Sequence, residues 1–344
     1  MFSLVVVFCL FYNSFPLLPI GVILPHLLPP PKKTYSPQPL TLENVFSYDH
    51  QWVASISGEH IRTVLATGDV IPARAANYQA TVRYKDMLWP WRKTAEFLRQ
   101  ADVTLINLET PLFSDCKAEF STTMIFCGSA KNIDGLLFAG VDVASLANNH
   151  IGNYGSARVE ETKKILEDGG ILVTGVDSPV FKNIRGIKFA FLGYNDIDSP
   201  LDFKKIAEEV TATKKNADVV IVEFHWGIEY QEQLSQRQKE LGHLAIDSGA
   251  DLIIGNHPHW IEPVEIYKGK LITYAHGNFI FDQEWSEKTK LGVVGKYTFY
   301  DNKLIDAEFF PVRIMDYGQP YFLEGKEKEK ILEEMKTASE KLQD

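Results

Sequence analysis

From residue 61 onward, short apolar runs alternate with amphipathic stretches, and this alternation restricts the chain to α/β folds. The apolar runs have the length of buried strands and end at Thr67, Asn107, Leu146, Gly193, Phe224 and Ile254. Amphipathic spacing predicts helices between them, over residues 91–100, 154–168, 201–215 and 232–247. From Leu271 the pattern becomes strand-rich, with predicted strands over 271–275, 293–300 and 304–311. The sequence therefore predicts an α/β sheet with helices on its outer faces, in one domain over residues 61–323.

The first 28 residues form an apolar segment in which positions 2–28 carry no charge. A helix of that length can span the roughly 30 Å hydrocarbon core of a bilayer. The first alanine is Ala54, so no Ala-x-Ala cleavage site follows the segment closely. We therefore expect a membrane anchor or an uncleaved signal, with the domain on the extracytoplasmic side. Lys32 and Lys33 lie on the wrong flank for that orientation, because basic residues usually stay on the cytoplasmic side.

Two further segments flank the predicted domain. Residues 29–60 contain a proline-rich stretch, which predicts an extended spacer. Residues 324–344 are rich in charge and predict a C-terminal helix. Cys116 and Cys127 lie eleven positions apart, a spacing compatible with a disulfide in an oxidising compartment and equally with two free thiols.

The net charge of -10 argues against a sequence-independent nucleic-acid binder, which would need a basic face. The same charge does not exclude an anionic substrate. Bound metal ions present strong local positive charge even in an acidic protein.

Polar side chains follow five of the predicted strands at the point where each strand ends. In open α/β sheets this carboxyl edge is where ligands bind. The residues concerned are Asp69, Glu109, the pair Asn149 and His150, His225, and His257 with its neighbour His259. A random scatter of core histidines would not choose the same end of each strand, so we expect these side chains to form one site.

The donor set consists of two carboxylates, one amide oxygen and three imidazoles, with His150 beside them. Such a set suits two divalent ions such as Mn²⁺, Zn²⁺ or Fe²⁺. Paired ions lower the pKa of water enough to supply a nucleophile near neutral pH. Glu109 can give one oxygen to each ion and is the expected bridge, while His150 is placed to act as a general acid. Several of these residues also have a structural alternative: Asp69 as a turn residue, Glu109 as a cap of the next element, Asn149 as part of a tight turn, and His225 as a core histidine.

Six motifs in this order resemble the capsule-synthesis CapA family. They are Gly-Asp-Val-Ile-Pro-Ala-Arg at 68–74, Asn-Leu-Glu-Thr-Pro at 107–111, Ala-Asn-Asn-His-Ile at 147–151, His-Trp-Gly-Ile-Glu-Tyr at 225–230, Gly-Asn-His-Pro-His at 255–259 and Gly-Asn-Phe-Ile-Phe-Asp-Gln at 277–283. The family is associated with poly-γ-glutamate capsule production and is similar to the calcineurin-like metallophosphoesterases. The resemblance implies two mixed β-sheets packed as a sandwich with flanking helices.

The resemblance also implies a role for each motif residue. It makes Asp69 and His259 ligands of a first metal, Glu109 the bridge, His150 the acid, and Asn149, His225 and His257 ligands of a second metal. Ile71 departs from the pattern, because metallophosphoesterases usually have histidine there, and the first site is accordingly expected to be weaker or completed by another side chain. We assign Arg74, Asn278 and His276 to substrate binding, with His276 also open as an added ligand or as a residue without function.

Two functional hypotheses follow from these features. In the first, the protein is a two-metal hydrolase acting on a phosphoester or on the amide of an anionic polymer, polyglutamate. In the second, it is a membrane-anchored accessory protein that binds the polymer or capsule-assembly membrane proteins without turnover. The donor set favours the first hypothesis, whereas Ile71 and the apolar N-terminal segment favour the second.

Overall fold

In the computed structural model, which describes residues 36–47, 49–177 and 179–343, the chain forms two large mixed β-sheets with helices outside them. Its strands, numbered in chain order within the described residues, are β1 (Ile61–Val70), β2 (Val103–Leu108), β3 (Leu112–Phe113), β4 (Gly128–Ser129), β5 (Val143–Ser145), β6 (Leu172–Thr174), β7 (Val180–Ile184), β8 (Ile187–Asn195), β9 (Val219–His225), β10 (Leu252–Asn256), β11 (Val264–Tyr267), β12 (Lys270–Thr273), β13 (Asn278–Ile280), β14 (Leu291–Tyr300), β15 (Lys303–Met315) and β16 (Gln319–Phe322).

Each large sheet combines parallel and antiparallel pairs. The first has the order β16-β15-β14-β1-β2-β5-β6, and β13 also pairs with β1. The second has the order β11-β12-β10-β9-β8-β7, in which β8, β9, β10 and β12 are mutually parallel neighbours. Strands β3 and β4 form a separate parallel pair. The parallel strands β1, β2, β5 and β6 form one half of the first sheet, and β8, β9, β10 and β12 form the middle of the second. Within each set the carboxyl ends point to a common edge.

The two sheets pack face to face around one apolar core. Strand β9 illustrates why its sequence is an uninterrupted apolar run: Val219 and Ile221 face the other sheet, whereas Val220 and Val222 face the helices. Successive side chains of a strand point to opposite faces, so a strand buried on both faces must be apolar throughout. The predicted architecture, two mixed sheets packed as a sandwich with flanking helices, is confirmed.

Most of the helices lie over the outer faces of the sheets, whereas the first and the last contribute Val45 and Met335 to the core between the sheets. Within the described residues they are α1 (Leu42–Val45), α2 (Arg74–Tyr78), α3 (Ala95–Leu98), α4 (Asn132–Ala139), α5 (Ser156–Asp168), α6 (Phe203–Lys214), α7 (Gln236–Asp247) and α8 (Gly325–Gln343). Helix α7 starts later than its predicted bound because Ser235 and Gln238 form a capping box. The predicted helix over 91–100 is wrong in extent. Only a single turn, Trp89–Trp91, and the short α3 form there. Thr94 interrupts the helix between them, because its hydroxyl donates to the Trp91 carbonyl and its φ of -124° is non-helical.

Two glycines allow the strands that carry the candidate site to approach closely. A Cβ on Gly68 would lie 2.2 Å from the Gly277 carbonyl oxygen, and one on Gly255 would lie 1.9 Å from the Tyr274 carbonyl oxygen. Gly68 directly precedes Asp69, whose amide donates to that same Gly277 oxygen at 2.9 Å. No side chain fits at either position, so glycine is required where the backbones meet.

The described residues begin at Ser36, within the predicted spacer. The apolar segment over residues 1–28 lies outside the described residues, and none of the helices described combines the length and apolar character needed to cross a membrane. From Pro37 onward the chain belongs to one compact unit. Leu40 and Val45 are buried in the core between the sheets, so the end of the predicted spacer packs on the domain and is not extended.

Cys116 and Cys127 form a disulfide, with their Cα atoms 6.0 Å apart. The bond closes the loop between β3 and β4. Phe126, one residue before Cys127, is fully buried against Phe281 and packs on the ring of His150. Of the two alternatives that the sequence left open, a disulfide or two free thiols, the structure shows the disulfide.

Candidate metal centre

The carboxyl ends of strands from both sheets meet at one edge of the sandwich. Asp69 lies near the end of β1 and Glu109 directly follows β2, both in the first sheet. His225 ends β9 and His257 directly follows β10, both in the second sheet. The structure brings seven predicted site residues together there: Asp69, Glu109, Asn149, His150, His225, His257 and His259.

Glu109 lies between two groups of ligating atoms. In one group its carboxylate is within 4.8 Å of nitrogens of His225 and His257, and in the other within 4.8 Å of Asp69 and His259. Both of its oxygens are buried and have no hydrogen-bond partner among the described residues. An unpartnered buried carboxylate is costly, by about 1–3 kcal/mol or more. Glu109 is therefore arranged to meet a cation, and it is the residue common to both groups.

The side chains predicted to hold the second metal lie close around the Nε2 atom of His225. This atom lies 2.8 Å from Asn149 Oδ1, 3.1 Å from His257 Nδ1 and 3.5 Å from Glu109 Oε1. Two imidazole nitrogens, an amide oxygen and a carboxylate thus face one point. These are ligands of the kind that divalent transition metals select.

The first-metal set is held together by direct hydrogen bonds. His259 Nδ1 lies 3.1 Å from Asp69 Oδ2, and the other Asp69 oxygen accepts from Asn107 at 2.8 Å. Ile71 does not contribute, because it is buried in a small apolar cluster with Phe126 and Phe281. Asp69, Glu109 and His259 are the titratable donors that the described residues offer to this ion.

The loop after β10 holds its two histidines in an unusual backbone conformation. His257 has a φ of 102° and His259 a φ of 57°, on either side of Pro258. Positive φ in a non-glycine residue costs about 1–3 kcal/mol and is found most often at functional sites. Here it directs successive imidazoles of one short loop toward the two groups of donors.

The protonation states in the metal-free protein follow from burial and neighbouring charge. Burial and the negative charge of Asp69 raise the pKa of Glu109 well above its usual range. Burial lowers the pKa of His225 to about 4 and also lowers that of His257, so both are neutral at pH 7. Burial opposes the charged form of His259 too, but Glu109 and Asp69 outweigh it and raise its pKa to about 9. The free centre therefore keeps a proton on His259 that a metal must displace.

Metal affinity is accordingly expected to rise with pH. Below a pKa of about 9 the proton on His259 competes with the metal, so the association constant should increase by up to about tenfold per pH unit between pH 6.5 and 8.5. Calorimetric titration of the full-length chain with Mn²⁺, repeated in buffers of different ionisation enthalpy, measures both the affinity and the protons released. An affinity that is flat over this range, with no proton release, would contradict the assignment of His259.

His150 is held in a defined orientation at the edge of the centre. Asn153 Oδ1 accepts from the Phe126 backbone N–H at 2.7 Å, so the His150 Nδ1 at 3.1 Å from this oxygen is a donor. The other ring nitrogen, Nε2, faces Glu109 Oε1 at 3.9 Å. Burial lowers the pKa of His150 to about 4, so in the free protein Nε2 is an unprotonated acceptor that can take up and return a proton.

Three residues predicted to bind substrate have other partners. Arg74 forms an ion pair with Asp282 and its guanidinium lies 4.8 Å from the Phe126 ring centroid. Asn278 is fully buried, and its Oδ1 lies 2.9 Å from His259 Nδ1, so it orients a ligand. His276 is also fully buried, with Nε2 at 2.8 Å from the Tyr297 hydroxyl and Nδ1 at 3.3 Å from the Thr67 carbonyl. Of the roles that the sequence left open for His276, these contacts favour that of a core histidine whose two ring nitrogens both have partners.

Two residues of the site were missed from the sequence. Asn107 lies 3.2 Å from His225 Nδ1 and also donates to Asp69, so it links the two ligand sets. Its position two residues before Glu109 places it on the same strand face, a signal that was available. Tyr230 stacks on His259 with ring centroids 6.0 Å apart, and its hydroxyl accepts from Gln283 at 2.7 Å. That contact joins distant parts of the chain and has no local sequence signal.

The residues present fit two divalent cations on chemical grounds. The fit rests on a shared carboxylate without partners, two neutral imidazoles facing each other, and a third imidazole whose proton is displaceable. The ions would be held by Asp69, Glu109 and His259 at one position and by Glu109, Asn149, His225 and His257 at the other.

Comparison with known proteins places this chain in a family. The model of the bacterial capsule synthesis protein PGA_cap family matches residues 63–283. The capsule biosynthesis protein CapA of Bacillus anthracis is 28% identical over 285 residues, which cover 75% of this chain and 68% of that protein. The PGA biosynthesis protein CapA of Bacillus subtilis (strain 168) is 31% identical over 193 residues, which cover 50% of each chain. This chain thus matches about half the length of the second relative.

Among solved structures, the crystal structure of a hypothetical protein from Thermus thermophilus is similar, with a TM-score of 0.50. It is 15% identical in sequence, and the match covers 74% of this chain and 100% of that one. At this identity the likeness concerns the fold alone. The family model covers more than half of the 344 residues and includes every predicted metal ligand. The chain therefore belongs to the bacterial capsule synthesis protein PGA_cap family.

Proposed function

We propose that this chain serves in the synthesis of a polyglutamate capsule and carries a two-metal hydrolase centre. The observation that carries the proposal is Glu109, a buried carboxylate that has no hydrogen-bond partner among the described residues and belongs to two groups of side chains able to ligate a metal. The capsule part of the proposal is supported by family membership and by the names of the two Bacillus relatives. The hydrolase part is supported by the chemistry of the donor set.

Bound divalent ions would supply Lewis acidity toward a phosphoryl or carbonyl oxygen and lower the pKa of water. The protein's own residues do the rest. Asp69 and Asn107 fix the relative position of His259 and His225 through direct hydrogen bonds. Asn153 holds His150 so that Nε2 faces the centre, where it can return a proton to a leaving group. This arrangement suits hydrolysis of a phosphoester or of a glutamyl amide.

The full-length chain is expected to contain close to two metal ions and to hydrolyse a generic phosphodiester or poly-γ-glutamate. His225→Ala should reduce the metal content to one ion or fewer and abolish hydrolysis, because Nε2 of His225 is the atom on which the second set converges. Elemental analysis and product release measure the two effects. His243→Ala is the matched control, since His243 lies on α7 and pairs with Glu265. Wild-type protein without stoichiometric metal, together with no effect of His225→Ala, would refute the proposal.

A second candidate function is a non-catalytic accessory role in which the fold binds the polymer or membrane proteins of capsule assembly. Ile71 favours it, because an apolar residue stands where metallophosphoesterases usually place a histidine ligand. Metal-dependent hydrolysis that Asp69→Asn abolishes would decide against this role.

We also infer an extracytoplasmic location with an N-terminal membrane anchor. The Cys116–Cys127 disulfide supports it, because disulfides persist in oxidising compartments. Fractionation of cells expressing the chain, followed by protease treatment of intact spheroplasts, tests the location. Protection of the domain from protease would contradict it.

A further inference from the structure

The loop over residues 114–127, between β3 and β4, lies against the candidate metal centre and is called the disulfide loop below. Its residues from 114 to 125 are all exposed or half-buried, whereas Phe126 is fully buried. The Phe126 ring stacks on the imidazole of His150, with 4.1 Å between centroids and 29° between planes. A largely exposed loop thus places one buried side chain directly against the candidate proton-transfer residue.

The end of the disulfide loop also fixes which nitrogen of His150 carries the hydrogen. The Phe126 backbone N–H donates to Asn153 Oδ1 at 2.7 Å, and the same oxygen lies 3.1 Å from His150 Nδ1. Because this oxygen accepts from both groups, Nδ1 bears the hydrogen and Nε2 faces Glu109 without one. If Phe126 moved away, His150 would lose the ring that stacks on it, and Asn153 would lose the N–H that orients it.

Arg74 holds the disulfide loop against the body of the domain. Its Nη1 donates to the Thr123 carbonyl at 3.1 Å, and its guanidinium carbon lies 4.8 Å from the ring centroid of Phe126 and 5.1 Å from that of Phe281. Its Nε donates to Asp282 Oδ1 at 3.1 Å, and the Arg74 side chain is only 11% exposed. These contacts are those of a residue that supports the loop, although the sequence assigned Arg74 to substrate binding.

The Cys116–Cys127 disulfide ties Phe126 to the start of the loop. Cys127 directly follows Phe126, and the Sγ of Cys116 lies 3.8 Å from Asn77 Nδ2 on α2. Segments with few buried side chains open locally at little cost in free energy. A cross-link reduces the number of conformations that such an open segment can adopt. The disulfide therefore favours the conformation in which Phe126 covers His150.

We propose that the disulfide loop, held by Arg74, positions His150 for proton transfer, so that this step depends on the Cys116–Cys127 bond. Phe126 and Arg74 are positioning residues: Phe126 acts through its ring and through Asn153, and Arg74 acts through the loop. The reaction itself rests on the proposed function, whereas the orientation of His150 rests on the contacts of the loop alone. A chain without the disulfide would keep its metal ligands but lose the efficient protonation of a leaving group.

The double variant Cys116→Ser, Cys127→Ser tests this dependence in the full-length chain. Its kcat for methyl phenyl phosphate, whose leaving group gains most from a proton, should fall at least about tenfold, because a displacement of about 1 Å can cost about 10²-fold. Its kcat for methyl p-nitrophenyl phosphate should stay within about twofold of the wild-type value, because that leaving group needs no proton. Its metal content should not change.

Cys9→Ser, which removes the third cysteine of the chain, is the matched control and should hydrolyse both esters as the wild type does. Wild-type rates of the double variant on both esters, or equal losses on both, would overturn the proposal.

Arg74→Lys separates support of the loop from binding of substrate. Lysine keeps a positive charge for Asp282 but lacks the planar fork that also reaches Thr123. The variant should lower kcat for methyl phenyl phosphate without changing KM, whereas loss of a substrate ligand would raise KM. Arg62→Lys is the matched control, because Arg62 is buried and pairs with Asp301 and a backbone carbonyl at the start of β1, the end opposite the centre. A raised KM with unchanged kcat, or no change in either, would overturn the role of Arg74.

The tautomer of His150 gives a readout that needs neither metal nor turnover. Nitrogen NMR of the full-length chain carrying ¹⁵N-labelled histidine, with EDTA present and near neutral pH, distinguishes the two tautomers, and His150→Gln assigns the signals. The wild type should show hydrogen on Nδ1, whereas the double cysteine variant should shift toward hydrogen on Nε2. Phe126→Ala should show the same shift and serves if the double variant does not fold. An unchanged tautomer in a folded variant would overturn the proposal.

The outcomes for this loop and for the proposed function can be told apart. If the wild type holds no metal and hydrolyses neither ester, the proposed function fails, and the tautomer of His150 still decides whether the loop orients it. If hydrolysis depends on metal but the double cysteine variant matches the wild type on both esters, the positioning role of the loop alone fails.

Discussion

Replacing Glu109 with glutamine is expected to remove bound metal and to reduce hydrolysis by about 10²–10³-fold, the scale of loss seen when a central electrostatic group is removed from an active site. Glu109 is the one carboxylate common to both groups of ligating side chains. Glutamine has the same shape but presents a neutral amide, so neither ion would keep its shared anionic ligand. The metal content should fall from about two ions per chain to fewer than one.

The same substitution should leave the metal-free protein at least as stable as the metal-free wild type. Both oxygens of Glu109 are buried and lack a hydrogen-bond partner in the described part of the chain, and burial together with Asp69 raises the pKa of this carboxyl. The carboxylate therefore costs folding free energy until a cation arrives. Thermal unfolding in EDTA measures this effect. If Glu109 instead stabilised the fold, the Glu109→Gln variant would unfold at a lower temperature than the wild type in EDTA.

Glu308→Gln provides the matched control for Glu109→Gln. Glu308 is a half-buried carboxylate on β15, outside both groups of ligating residues. It should change neither metal content nor hydrolysis. Two bound ions in Glu109→Gln, measured by elemental analysis, would show that Glu109 does not bridge them.

The position of the candidate metal centre could be predicted from the sequence because it follows from a general property of α/β sheets. Polar residues after apolar runs lie at the carboxyl ends of strands, and the parallel strands of each sheet bring those ends to one edge. The prediction did not require knowing which strands are neighbours. Asp69 and His225 lie in different sheets, and both nevertheless reach the same edge of the sandwich.

The residues assigned to substrate binding were harder to predict because their partners are remote. The Asp282 that pairs with Arg74 is 208 positions away, and the Tyr297 hydroxyl beside His276 is fixed only when β14 packs into the core. A motif position indicates that a side chain is near the site, but not the direction in which it points. His276 shows this. The neighbouring Gly277 contacts the β1 backbone beside the site, whereas the His276 imidazole is buried in the core.

Replacing His150 with glutamine is expected to lower kcat by about 10²–10⁴-fold while leaving both metal ions bound, which is the usual range for loss of a proton-transfer group. His150 Nε2 faces Glu109 but lies 3.9 Å from it, and His150 is in neither group of ligating side chains. Its ring is held by Asn153 and by stacking on Phe126 at 4.1 Å between centroids. Glutamine can still donate a hydrogen bond but cannot carry a proton between substrate and water.

A dependence on the leaving group separates this role from a structural one. If His150 delivers the proton, His150→Gln should keep its metals, unlike Glu109→Gln. It should also recover much of its rate with an activated ester such as a p-nitrophenyl phosphodiester, because that leaving group needs no proton. Asn153→Ala should show the same pattern more weakly, because it releases the Nδ1 that Asn153 now holds. Equal loss of rate on activated and unactivated substrates, with metals still bound, would mean that His150 positions the substrate and does not transfer a proton.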